Sequence, residues 1–256
     1  MPLGISSRAV LTAFRDARSE AERPARLLVS GPLAEQLARE LAEGGVPDTV
    51  RLGGEVEGAD AVVLVLAGEA AAPEVELARS ANRAAVPVIG VQLDPAVNPD
   101  IPYVLATDVV PCPRGEGFPI DAIAGVLARR LGEQAAGLAA ALPRLHDGVS
   151  RGLTRRAAHR NALLALLPLS RDAHLPVMTI TQVRLALSLS VANGREVGSA
   201  TAPDVGAVLA AAPALRALSR RVVLRAPMAR RLVQAGVAYG ATLAVGKASS
   251  LRATRD

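Results

Sequence analysis

The histidine, cysteine and lysine side chains of this 256-residue chain are few, and their spacing favours no catalytic or metal site. The three histidines, His146, His159 and His174, are scattered, and no pair has the H-x-x-x-H spacing that sets two imidazoles on one helix face around a metal. The one cysteine, Cys112, stands between Pro111 and Pro113 with no histidine near it in sequence, which reads as an inert thiol. Ser30 precedes Gly31 at the end of an apolar run but lacks the strained G-x-S-x-G elbow of a nucleophilic serine. Gly44-Gly45 and Gly53-Gly54 read as turn glycines, because no G-x-G-x-x-G follows a strand. Lys247 is the one lysine, so none is placed to reach a β- or γ-phosphate near the N-terminus. No catalytic set, metal site or cofactor is expected. The nucleotide candidates are Ser30, Gly31 and Asp94, each at a strand-to-loop turn.

Composition bounds the architecture. Half the residues are hydrophobic but only 2% are aromatic and none is Trp, so Ala, Leu and Val must build the core. A single cysteine excludes an internal disulfide and fits a reducing, cytoplasmic setting. Residues 1–23 lack the apolar stretch and A-x-A site of a signal peptide. The longest apolar stretches, 205–215 and 232–246, are short for a membrane span and read as a packed or interfacial hairpin. Charge is divided unevenly: residues 1–150 carry 13 basic and 20 acidic side chains, and residues 151–256 carry 16 and 4. Such a split predicts two units with different surfaces.

Along the chain, residues 5–22 have an amphipathic helical pattern with Val10, Leu11 and Phe14 on one side. Strands are expected at 25–31 (ARLLVSG), 49–52, 61–67 (AVVLVLA), 87–92 (PVIGVQ) and 104–111. The unbroken Val/Leu run of 61–67 predicts a strand buried on both faces. Helices are expected between them, after Pro32, at 73–84 and at 120–132, which makes a doubly wound, mostly parallel α/β sheet. From 134 onward the pattern is all helical: 134–142, 152–167, 181–192, 205–224 and 230–248, with 143–148 as a linker. The expected domains are therefore an N-terminal helix over 1–24, an α/β domain over 25–133 and an all-helical domain over 134–256.

Within the helical half, Thr179 and Gln182 form a T-x-x-Q capping box, and Asn193-Gly194 a C-cap. Between them Val183, Ala186, Leu187 and Ser190 make one stripe, with Arg184 beside it. Two arginine groups stand out: Arg151, Arg155, Arg156 and Arg160, then Arg220, Arg221, Arg225, Arg230 and Arg231. A basic, aromatic-poor surface suits an anionic membrane or an acidic protein partner better than nucleic acid, which uses stacking rings. Gly236, Gly240 and Ala244 recur every four residues, a small-residue ridge for helix packing within the domain or between copies in a homo-oligomer.

The set Asp172, Leu175, Thr179, Gln182 and Arg184 resembles the motif of a helical domain of unknown function found after Era-type GTPase domains and in YcjF-type bacterial membrane proteins. The preceding half resembles a shrunken Era/Ras-type domain. Its first strand and turn, VSGPLAEQ, stand where the phosphate loop would be without G-K-[ST], and VQLD, ending in Asp94, stands where the base-reading N-K-x-D would be. What the resemblance implies is a non-catalytic pseudo-GTPase acting as scaffold or adaptor, peripheral on the cytoplasmic face of the inner membrane. The alternatives are a GTP-binding protein with an unorthodox loop and a soluble protein- or nucleic-acid-binding module using the arginines.

Overall fold

A computed structural model describes residues 7–94, 96, 101–166, 171–198, 201, 205–206, 236, 239–240 and 242–244. The chain divides into two compact units, Arg23–Gly152 and Met1–Glu22 with Leu153–Asp256.

The first unit is built on five parallel strands: β1 (Leu27–Ser30), β2 (Val50–Leu52), β3 (Ala61–Leu66), β4 (Val88–Gln92) and β5 (Val109–Pro111), in the order β2-β1-β3-β4-β5. All six residues of β3 are completely buried, as its Val/Leu run predicts. Because successive strand residues face opposite ways, Val62, Leu64 and Leu66 share one face. There they join Leu28, Val88 and Ile101 in a core that includes Ala78 and Ala81 of helix α3 (Ala72–Arg83). Helices α2 (Ala34–Ala42) and α4 (Ile120–Leu131) complete the doubly wound pattern. The fifth strand is shorter than expected. Residues 106–108 form a 3-10 turn instead, held by Asp108, which is 2% exposed and lies 3.3 Å from Arg129 and 3.5 Å from Arg130 on α4.

The expected boundary and linker lie elsewhere. Helix α5 (Ala135–Ala141) and the turn Pro143–Leu145 belong to the α/β unit, where Val46 N–H donates to the Ala141 carbonyl at 2.8 Å. Leu138, Leu142, Leu145 and Val149 are fully buried, so Leu145 ties the segment 143–148 into the core although Pro143, Arg144 and Asp147 stay exposed. Helix α6 (His146–Leu166) begins inside this unit, and the division falls within it. Its glycines explain the tight start. A Cβ on Gly148 would collide with Ala124 Cβ and lie 2.8 Å from the Asp121 carbonyl, and one on Gly152 would lie 2.5 Å from Ala128 Cβ. Gly148 and Gly152 therefore let α6 press closely on α4.

In the second unit, helix α1 (Ser7–Glu22) is not a separate N-terminal element. It packs on α7 (Arg171–Ala192), where Ala13, Phe14 and Ala17 meet Val183, Ala186 and Leu187, with Val205 in the same cluster. Asp16 and Arg184 pair across this contact at 3.2 Å. The stripe read on α7 is buried as expected, Ser190 included. The stop is a Schellman motif: Gly194 has φ 68°, its N–H reaches the Val191 carbonyl at 2.8 Å, and Arg195 N–H reaches Ser190 at 3.0 Å.

The start signal is a correction. The helix begins at Arg171, so Thr179 and Gln182 are buried mid-helix residues and not a capping box. A T-x-x-Q pattern caps only where the helix has unsatisfied first-turn amides, and tertiary burial carries this helix past it.

If α1 is part of this core, Ala13→Glu places an unpaired carboxylate against Val183 and Leu187. The expected loss is about 3 kcal/mol, read as a lower thermal midpoint of the full chain, whereas Leu11→Glu at an exposed position leaves the midpoint within a degree or two.

Candidate functional site

In an open parallel sheet, ligands bind beyond the carboxyl ends of the strands where the strand order reverses, here between β1 and β3. Ser30 and Gly31 stand there, as the sequence places them. Gly31 has φ 101° and packs on the Val65 carbonyl so closely that a Cβ has no room. The turn leads into α2 through Leu33, itself in the left-handed region at φ 59°. Asp94 follows β4, and β3 separates β4 from β1, so about 10 Å of sheet lies between the two candidate positions. Nor is its carboxylate idle. One oxygen accepts from Ala96 N–H at 3.2 Å, closing an Asx turn, and the other lies 3.2 Å from Arg114. The Gln92 side chain donates to the Asp94 carbonyl at 3.0 Å and braces the same loop. Ser30, Gly31 and Asp94 thus share an edge of the sheet but do not converge on one point.

Two perturbed groups in this unit argue for structure rather than reactivity. Burial first, and then Glu40, push the Cys112 thiol above its ordinary range, and its Sγ lies 3.3 Å from the Gly117 carbonyl. Since the thiolate is the nucleophile, such a cysteine is poorly reactive at neutral pH. Burial lowers the pKa of His146, only partly offset by the Ala139 backbone and Asp147, which keeps the imidazole neutral. Among the described residues no cluster of three or more His, Cys, Asp or Glu could hold a metal ion.

The arginines separate by unit. Arg151 belongs to the α/β unit and pairs with Asp121 at 2.7 Å. Arg155, Arg156 and Arg160 are exposed on the part of α6 that belongs to the helical unit. Arg220, Arg221, Arg225, Arg230 and Arg231 lie outside the described residues, as do the side chains of Asp172 and Leu175. Gly236, Gly240 and Ala244 of the small-residue ridge are exposed, and a Cβ on either glycine meets nothing within 4 Å, so among the described residues the ridge does not pack within the domain. Another side of this segment meets α6. Asn161 Nδ2 donates to Thr242 Oγ1 at 2.9 Å, both fully buried, and Tyr239 packs edge-on against His159 with ring centres 5.4 Å apart. Four-residue spacing of small residues permits close packing, but the buried polar pair determines which side turns inward.

One concavity in the helical unit was not legible from the sequence. It is a groove of about 560 Å³ where Arg8, Ala9 and Thr12 of α1 face Val177, Ile180, Thr181 and Arg184 of α7, with Arg160 of α6 also in its lining. Its residues come from segments about 150 positions apart, and no local pattern joins them. No helix among the described residues is long and apolar enough to cross a membrane. Compared with protein-family models, curated proteins and solved structures, the chain matches none.

Proposed function

We propose that this protein is a non-catalytic adaptor that attaches reversibly to an anionic membrane surface through its helical unit, leaving the α/β unit to a protein partner. The observation that carries this reading is the charge of the two units. Arg23–Gly152 contains 11 basic and 17 acidic side chains, a net of −6, while the other unit contains 18 and 7, a net of +11. Each cation near an anionic leaflet is worth about 1 kcal/mol, so a handful acting together holds a domain there and lets it go again. The exposed Arg155, Arg156 and Arg160 are part of that surface. The resemblance to a pseudo-GTPase followed by a YcjF-type helical domain, in bacterial cytoplasm at the inner membrane, agrees with such a role, and so does a nucleotide slot without its lysine or a converging acid.

The test is co-sedimentation of the full chain with vesicles. The expected result is pelleting with phosphatidylglycerol-containing vesicles at low salt, release at about 1 M salt, where the screening length falls to about 3 Å, and no pelleting with pure phosphatidylcholine. Retention of the chain in the supernatant with every lipid at low salt removes the membrane reading.

A further inference from the structure

The groove between α1 and α7 has the chemistry of a site for one amphipathic anion. Its apolar lining is Ala9 and Ile180, both half-buried, and Val177, 41% exposed. The Thr12 and Thr181 hydroxyls are turned to their own helices, donating to the Arg8 and Val177 carbonyls at 2.9 Å each. That leaves the guanidinium groups of Arg8, Arg160 and Arg184 as the charged elements of the lining. Arg184 is balanced by Asp16. Arg8 and Arg160 are exposed and have no carboxylate partner among the described residues. An inorganic anion would leave the apolar lining wet, and a neutral apolar ligand would leave the two arginines unused.

We infer that this groove holds a single anionic phospholipid. Its phosphate sits against Arg8 and Arg160, and the first part of one acyl chain lies along Ala9, Val177 and Ile180. The inference deepens the membrane reading above and rests on it for the source of the ligand. It changes the nature of the attachment: a diffuse arginine surface senses only charge density, whereas this groove also demands an acyl chain. Guanidinium suits the head because its planar donors match phosphate oxygens.

Calorimetric titration of the full chain tests this with lysophosphatidylglycerol below its micelle threshold, lysophosphatidylcholine and glycerol 3-phosphate as probes. The first is expected to saturate at one per chain, the other two to bind about tenfold more weakly or worse. Arg160→Glu and Val177→Asp, at exposed positions, should each weaken the first probe about tenfold with an unchanged circular dichroism spectrum. Equal binding of glycerol 3-phosphate, unaltered affinity in both variants, or displacement of the lipid by an equal concentration of polyglutamate would overturn the groove assignment. The two proposals fail separately. Pelleting on anionic vesicles without binding of the monomeric lipid sinks the groove alone, whereas monomer binding without pelleting sinks the membrane attachment and leaves the groove.

Discussion

Gly31→Ala is expected to unfold the α/β unit at temperatures where the parent chain is intact, with a loss of about 3 kcal/mol and a midpoint lower by about 10 °C. Two costs coincide at this position. The backbone has φ 101°, which L side chains rarely adopt, and the added Cβ would be driven into the Val65 carbonyl. Val65 belongs to the completely buried β3, so the strand cannot move aside without breaking its pairing with β1 or β4. Gly54→Ala separates the two contributions. That glycine has φ 92° but open space around its missing side chain, so its substitution costs about 1 kcal/mol of backbone strain alone. Urea titration followed by circular dichroism gives both values, and similar losses in the two variants would mean that β1 and β3 do not approach as closely as described.

A comparable effect is expected from Gly148→Val. Gly148 and Gly152 let α6 lie close against Ala124, Gly125 and Ala128 of α4 with only the two alanine methyls in the contact, and Val149 beside them is fully buried. Valine at 148 must displace α6 from α4 and so open the packing around Leu145 and Val149. Overpacking of this kind costs about 3 kcal/mol, and loss of the neighbouring contacts adds to it. Gly240→Ala is the internal comparison, since Gly240 is helical, exposed and uncrowded. There alanine should stabilise slightly, by up to about 1 kcal/mol, because it has the better helix propensity. The contrast distinguishes two ridges that have the same spacing in sequence, one closing a helix crossing and one facing solvent.

What could be read without the structure came from signals confined to a few neighbouring residues. An unbroken apolar run fits a strand covered on both faces, so β3 and β4 were legible at nearly their observed bounds. The buried side of α7 follows from the helical period of Val183, Ala186, Leu187 and Ser190, and its end from a glycine that alone accepts a left-handed backbone cheaply. The division of charge was equally plain, because net charge needs no coordinates. Ser30, Gly31 and Asp94 stand at strand ends, as read, for the same reason: strand ends are local.

The remainder depends on which distant segments meet. Thr179 and Gln182 have the same local pattern whether they open a helix or lie well inside one, and the burial of this stretch of α7 decided between the two. Residues 143–148 look like a linker by composition, yet Leu145 and Val149 find apolar partners in the α/β unit and become core. The α1 helix joins a partner about 170 residues later in the chain, and the arginine-lined groove exists only because it does. Sequence by itself determined the elements, their buried sides and the opposite charges of the two halves. Tertiary structure decided which glycines are crowded, where one unit ends and which arginines share a surface, because those depend on burial between segments that no short-range pattern connects.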